Sequence, residues 1–393
     1  MYSVYQHWDP LKVCMVGRSY PPEFYSWVKN TRIRKLFEKI AVETEEDYSG
    51  LIKLLETFGV EVLRPKLPDI SFVDGKFIKP PMTPRDYTGM IGNTFYYTSQ
   101  LIQSQKQQFE SNYNNIKDPS WPGCKNFKEF GLLPEWIQQE CLVQFELKKG
   151  LMPKLVKPYS EGCYDHIYDH VAAQGNTIKR NTFKNIRNDV LNTAMIIPVG
   201  KDLIVGTTCL DQNQTQLLNL LNNEFKNTRN HVVNSGGHLD GSIVPICPGL
   251  VLSSVDVDLE NILPGWDTLF IRQPSVSKHK KFKELTRKNS GRWWIPGQEN
   301  NQELINFIEI YFRDWLGFVE ETVFDLNLLI IDPNNIVVAN VLDQTLEKKI
   351  KSHNINIHVI PFRHRYFWDG GIHCMTSDLH REGTQQDYFP QKD

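Results

Sequence analysis

The chain has 393 residues, more than twice the length of a typical domain, so it can bury a large hydrophobic core as one elaborate domain or as two. Its 44 basic and 46 acidic residues leave a formal net charge of −2, which disfavours a dominant electrostatic role on DNA, RNA or anionic lipid. No apolar run approaches the roughly eighteen residues that span a bilayer, and the first ten residues lack signal or transit features. We therefore expect a cytoplasmic protein with no nucleic-acid or membrane partner.

The cysteines and glycines show none of the common cofactor motifs. Seven cysteines are scattered along the chain without a C-x-x-C pair, which argues against a disulfide framework and against a structural zinc site. The sequence also contains neither a phosphate-binding G-x-x-x-x-G-K-[ST] loop nor a G-x-G-x-x-G dinucleotide motif. We expect no metal and no organic cofactor.

The first predicted elements alternate between strand and helix. A strand over Leu11–Val16 precedes an amphipathic helix over Leu36–Phe58 and a strand over Val60–Leu63. A hairpin follows over Tyr87–Thr98, where Gly92 and Asn93 separate two apolar runs. Ser99–Asn176 is polar and rich in aromatic residues, which predicts an insertion that carries short helices over the core.

Three further hairpins are predicted over Ala194–Thr207, Ser242–Ser254 and Leu326–Ala339. Helices with an aspartate at their start, Asp211 and Asp343, follow two of them, and each helix is followed by another strand. The repeated unit is strand, strand, helix, strand, which favours one closed α/β array over a doubly wound sheet. We expect residues 1–393 to form one catalytic domain, with an insertion around residues 99–176 and a polar tail at residues 385–393.

Polar residues interrupt the apolar pattern at one place in each repeat, at the mouth of the strands. They are Asp86, Asn192, His238 with Asp240, Asp325 with Asn327, and Cys374 with Asp378. Modules arranged around an axis bring equivalent strand ends together, so these side chains should line one pocket. A thiol, an imidazole and several carboxylates or amides are the groups that covalent catalysis needs.

Three segments in this set resemble a known family. Gly236 to Asp240 with Pro248 to Ser253 resembles the H-x-D…P-G-[IL]-V-L-S segment of the arginine:glycine and inosamine amidinotransferases. Gly370 to Asp378 is similar to the nucleophile segment G-[FI]-H-C-x-T-x-D of that family, and Met82 to Asp86 is similar to its M-x-x-R-D segment. The resemblance implies the pentein fold, a five-module α/β propeller, within the guanidine-modifying superfamily.

The resemblance also implies a chemistry. Cys374 would attack the central carbon of a guanidinium, and His238 would protonate the departing amine and later deprotonate the incoming one. Asp86 and Asp240 would bind the guanidinium nitrogens in bidentate fashion. A free cysteine is a poor thiolate at neutral pH, so either a cationic neighbour or the positive charge of the substrate must favour its ionisation.

The sequence departs from the family pattern at two positions. Asn192 occupies the place of the aspartate that orients the catalytic histidine, with Asp189 as the alternative if the register differs. Val257 stands where arginine-using relatives place an arginine for the α-carboxylate of the donor. L-arginine as the donor is therefore implied by the resemblance and not by a residue of this sequence. Asp325 and Asn327 are additional candidates for substrate binding, with a structural turn role as the alternative.

These features predict an amidinotransferase that acts on two small molecules, a guanidine donor and an amine acceptor. One alternative is a guanidine hydrolase of the same superfamily, in which water replaces the acceptor amine. The other alternative is a non-catalytic, ribosome-binding protein with this fold. The presence of Cys374, His238, Asp86 and Asp240 argues against it, because a binding protein does not need these groups. The acceptor and the oligomeric state stay open, with a homodimer as one option because relatives often dimerise.

Overall fold

The computed structural model describes residues 1–68, 72–73, 76–97, 161–180, 193–207, 214–235, 238–271, 293–312, 315, 326–368 and 370–392. These residues contain five three-stranded sheets and one two-stranded ribbon. In every three-stranded sheet an antiparallel pair is joined by a third strand that runs parallel to the middle one. The predicted five-module α/β propeller is confirmed.

The first module is built from both ends of the chain. Strand β1 (Leu11–Val16) leads into helix α1 (Thr31–Thr57) and strand β2 (Glu61–Leu63), which pairs parallel with β1. The antiparallel neighbour of β1 is the last strand of the chain, which covers Thr376–Arg381. Helix α1 begins five residues earlier than its apolar pattern predicts, because the side chain of Asn30 caps it by accepting bonds from two backbone N–H groups.

The second and third modules confirm two predicted hairpins. After a short ribbon, β3 (Phe72–Val73) with β4 (Lys76–Phe77), the elements are β5 (Thr88–Ile91), β6 (Thr94–Tyr97), α2 (Asp165–Ala173), β7 (Thr177–Arg180), β8 (Ile196–Val199), β9 (Asp202–Thr207), α3 (Gln214–Glu224) and β10 (Arg229–Asn234). The tight turns open with Gly92 and Gly200, whose φ angles of 57° and 66° favour glycine. Asp211, predicted as a helix cap, lies outside the described residues.

The fourth and fifth modules complete the ring. Their elements are β11 (Ile243–Cys247), β12 (Leu250–Ser253), α4 (Leu259–Ile262), β13 (Asp267–Phe270), β14 (Leu329–Asp332), β15 (Asn335–Val338), α6 (Gln344–Ser352) and β16 (Asn356–Val359), with α5 (Gln302–Tyr311) between the two modules. Asp343 caps α6 as predicted, since its carboxylate accepts from two backbone N–H groups. A short helix α7 (Arg365–Trp368) then precedes β17 (Thr376–Arg381).

Two segments that looked peripheral in the sequence pack against the core. Most of Ser99–Asn176 lies outside the described residues, but α2 at its end buries Ile167, Tyr168 and Val171 beside β5 and β6. In the polar tail, Phe389 is buried and the hydroxyl of Tyr388 accepts a hydrogen bond from Trp8. Within the part of the chain that the structure describes, no helix is both long and apolar enough to cross a membrane.

Candidate active site

The described site residues that the sequence predicts lie in turns that lead into the first strands of four modules. A 3₁₀ turn over Pro84–Asp86 precedes β5, and another over Leu239–Gly241 precedes β11. Asn327 lies two residues before β14, and Cys374 lies two residues before β17. Because the first strands of the modules surround a common axis, these turns meet at one end of that axis.

Three reactive groups come together there from three modules. The sulfur of Cys374, a ring nitrogen of His238 and a carboxylate oxygen of Asp86 all lie within 4.8 Å of one another. The Nδ1 atom of His238 is 3.8 Å from Oδ1 of Asp86. Cys374 is fully buried, whereas the side chain of His238 is 22% exposed, so the site meets solvent on the histidine side.

Asp240 supplies a second carboxylate next to Cys374. The thiol of Cys374 donates to its Oδ2 atom at 3.4 Å, and Nδ1 of His373 donates to the same oxygen at 2.7 Å. Burial alone would raise the pKa of Asp240, but the hydrogen bond from His373 and the nearby positive charge of Arg85 hold it below its ordinary value. Among the described residues its buried Oδ1 atom accepts no hydrogen bond, so this oxygen retains capacity for a cationic ligand.

His373 and His7 extend this polar group away from the nucleophile. Burial, with the charge of Arg85, lowers the pKa of His373, so a neutral imidazole donates to an ionised Asp240. The ring of His7 lies 5.3 Å from that of His373, and burial holds the pKa of His7 well below its usual value. Both rings line a small enclosed cavity of about 10 Å³, roughly the space of one water molecule. His7 lies in no sequence motif, so no local pattern selects it.

Asn327 contacts Cys374 directly. Its Oδ1 atom accepts from the backbone N–H of Cys374 at 2.9 Å, and its Nδ2 atom donates to the sulfur at 2.9 Å. The side chain is buried and belongs to the module of β14, while Cys374 belongs to that of β17. The structure thus places Asn327 against the sulfur and the nucleophile turn.

Asp378 belongs to a buried ion-pair network and not to the pocket itself. Its carboxylate accepts from Arg85 and Arg381, each at 2.7 Å, and all three side chains are buried. Nε of Arg85 also donates to the carbonyl groups of His373 and Thr376. The predicted place of Asp378 at the pocket is therefore wrong: two arginine partners hold it in the interior, where it fixes the nucleophile turn to the turn of Asp86.

Four further positions were considered in the sequence, and one of them, Val257, lies among the described residues. Asn192, Asp189 and Asp325 lie outside the described residues, so their roles stay predictions. Val257 lines a separate groove together with β10 and the start of α4. The apolar side chain of Val257 cannot replace the arginine that the resemblance places at this position for binding a carboxylate.

The three central residues also carry donor types that a divalent ion such as zinc accepts. Among the described residues, Asp86, His238 and Cys374 form a group whose ligand atoms lie within 4.8 Å of one another, close enough to hold one metal ion. Covalent catalysis equally requires a nucleophile, an acid–base group and a carboxylate at this spacing. The resemblance noted above favours the catalytic use.

No family model matches the sequence. Among curated proteins, the chain is similar to the mitochondrial glycine amidinotransferase of Xenopus laevis, with 22% identity over 98% of this chain and 84% of the relative. The corresponding protein of Gallus gallus is also 22% identical, with the same coverage. The similarity extends over nearly the whole propeller and is not confined to the three motifs.

Solved structures share the architecture. The inosamine-phosphate amidinotransferase of Streptomyces griseus matches with a TM-score of 0.60 and 17% identity, over 99% of both chains. An amidinotransferase of the saxitoxin biosynthetic pathway from Microseira wollei matches with a TM-score of 0.57, 17% identity and the same coverage. The fold is therefore that of the penteins. Within that fold, the full-length sequence relatives identify the chain as an enzyme of the amidinotransferase type.

Proposed function

We propose that this enzyme moves an amidino group from a guanidine donor, L-arginine, to an amine acceptor through a covalent intermediate on Cys374. The observation that carries the proposal is the approach of the sulfur, the His238 ring and the Asp86 carboxylate to within 4.8 Å of one another. These residues come from three modules, so local sequence alone does not account for their meeting. The thiol and imidazole are the nucleophile and the acid–base group that this transfer needs.

Two carboxylates supply the binding site for a planar cation. Asp86 and Asp240 flank the sulfur, and the pKa of Asp240 is held low by His373 and neighbouring charges despite its burial. A guanidinium bound between them would place its carbon next to the sulfur and its charge where a thiolate must form. The positive charge of the donor thus favours ionisation of a thiol that otherwise faces two negative groups.

The proposed reaction has two halves. In the first, the thiol proton passes to His238, the thiolate attacks the guanidinium carbon, and the C–N bond to the leaving amine breaks as His238 returns the proton to it. In the second, His238 takes a proton from the incoming amine, which attacks the same carbon and expels the sulfur. The amidino group is transferred, the thiol is regenerated after proton return, and no electrons are exchanged with another reactant. Asn192 stays the predicted residue that orients His238.

A turnover assay separates transfer from hydrolysis. The protein is incubated with L-arginine alone and then with a panel of amines that includes glycine, while ornithine, citrulline and ammonia are measured. Release of ornithine that depends on an amine supports the proposal, and citrulline or ammonia without an acceptor would assign a hydrolase instead. Cys374→Ser should abolish turnover, whereas the control Cys247→Ser changes a cysteine at the end of β11 and should retain it.

The cellular location and assembly are separate proposals. The sequence predicts the cytoplasm, whereas the similar curated proteins are named as mitochondrial. Fractionation of the source cells decides between these locations, and recovery with mitochondria would overturn the cytoplasmic proposal. We also propose a homodimer, which light scattering of the purified protein tests directly, since a monomer mass would contradict it.

A further inference from the structure

The orientation of the Asn327 amide follows from its neighbours. The backbone N–H of Cys374 can only donate, so the atom that faces it at 2.9 Å must be the amide oxygen. The other end of the amide, which carries two N–H groups, therefore faces the sulfur at 2.9 Å. One side chain thus holds both the backbone and the reactive atom of residue 374.

The fold makes room for this contact at Gly371. A Cβ atom there would lie 2.7 Å from both the Cβ and the backbone oxygen of Asn327, closer than real contacts allow. Asn327 itself is buried between Leu326 and Leu328, which belong to the hydrophobic core. The close packing of two modules at this point fixes the amide against the sulfur.

The charges around the sulfur indicate what the amide does. Oδ2 of Asp240 lies 3.4 Å away, and a carboxylate oxygen of Asp86 lies within 4.8 Å, so a negative sulfur meets two negative neighbours. A hydrogen bond to a charged atom is stronger than one between neutral groups, and here the Nδ2–H group faces the atom on which charge develops.

We propose that Asn327 is a catalytic residue that donates a hydrogen bond to the Cys374 thiolate, both when the sulfur attacks the substrate and when it departs from the amidino carbon. This assignment replaces the substrate-binding role that the sequence predicts for Asn327. It rests on the proposed function, because it takes Cys374 as the nucleophile. The chemical step is unchanged: the amide stabilises the sulfur anion and transfers no proton.

Alkylation of Cys374 by iodoacetamide tests the proposal without any guanidine. The rate is followed by peptide mass mapping over a range of pH for the wild type, Asn327→Ala, the isosteric Asn327→Asp, and a control, Asn335→Ala, in the same module. We expect Asn327→Ala to react about tenfold more slowly at neutral pH, with its rate profile moved to higher pH. Asn327→Asp keeps an acceptor for the backbone and should react more slowly still, while Asn335→Ala should match the wild type.

The outcomes distinguish this inference from the proposed function. Wild-type rates and an unmoved pH profile in both Asn327 variants would overturn it, as would a lower rate at all pH values without any displacement of the profile. Thermal melting of each variant identifies those that have lost the fold, and the isosteric aspartate keeps the test decisive if alanine is not tolerated. A displaced profile in a protein that turns over no guanidine would contradict the proposed function while leaving the inference intact.

Discussion

Cys374 lies between groups that act on its sulfur in opposite directions. The carboxylate of Asp240 accepts from the thiol and opposes its ionisation, while the amide of Asn327 donates to the sulfur. The same oxygen of Asp240 also accepts a hydrogen bond from His373. These contacts together set how readily the thiol ionises.

His373 should control donor binding through its hydrogen bond to Asp240. We expect His373→Leu to raise KM for the guanidine donor by about tenfold, because the carboxylate loses the neutral donor that orients it. His373→Asn places a side-chain N–H near the position of Nδ1 and should restore most of the affinity. Steady-state kinetics of both variants test this, and equal KM values for the wild type and the leucine variant would contradict it.

Asp378 should couple stability to pH. Burial opposes its ionisation, but Arg381 and Arg85 outweigh burial and hold its pKa far below the ordinary value of 3.8. A carboxyl whose pKa is lowered in the folded state contributes its full stability above the unfolded pKa and loses it as the pH falls. We expect Asp378→Asn to cost about 3–5 kcal/mol at pH 7, because it leaves two buried arginines without their shared anion.

Urea unfolding at pH 7 and near pH 3 measures this effect. The difference in the free energy of unfolding between wild type and Asp378→Asn should shrink at the lower pH, because there the unfolded wild type binds a proton on Asp378 while the folded protein keeps this carboxylate ionised. The control Asp267→Asn changes an exposed carboxylate at the start of β13 and should have little effect at either pH. A difference that stays constant with pH would show that the ion pair is not its source.

At the scale of elements, the site depends on how closely neighbouring turns approach. We expect Gly371→Ala to destabilise the protein by about 1–3 kcal/mol and to lower kcat, because the new methyl group displaces Asn327 from the nucleophile turn. Gly162→Ala is the matched control, since a Cβ atom there meets no neighbour within 4 Å. Kinetics and urea unfolding of the two variants test the prediction, and a fully active Gly371→Ala protein would be incompatible with it.

The elements themselves could be predicted from local patterns. The hairpin around Gly92 and the cap at Asp343 depend on a few adjacent residues, and the structure confirms both. The pairing of Asp378 with Arg85 could not be predicted in this way, because Arg85 is 293 positions away in the sequence and no local pattern records this buried ion pair. For the same reason, the approach of His7 to His373 is visible only in the folded chain, since the two residues are far apart in the sequence.

At the scale of the whole molecule, the ring is closed by its two ends. Strand β17 pairs with β1, and the tail beyond it packs Phe389 into the core near Trp8 and Trp266. Asp387 pairs there with Arg229 of the third module. The repeat pattern predicted the type of module and the family resemblance implied five of them, but this closure required the pairing of residues from opposite ends of the chain.

Closure of this kind should make unfolding cooperative. We expect one thermal transition, coincident by circular dichroism and by tryptophan fluorescence, as a single domain requires. Phe389→Ala should lower the free energy of unfolding by about 3–5 kcal/mol, because it empties a buried aromatic site, while the exposed control Gln391→Ala should not. Two separated transitions in the wild type would contradict a single domain.

The covalent intermediate offers the most direct test of the whole account. The protein is mixed with L-arginine in the absence of an acceptor, quenched in acid, and mapped by peptide mass. The peptide that contains Cys374 should gain the mass of one amidino group, and this added mass should disappear when an acceptor amine is added before the quench. Consumption of arginine without an adduct at Cys374, or an adduct confined to another residue, would contradict it.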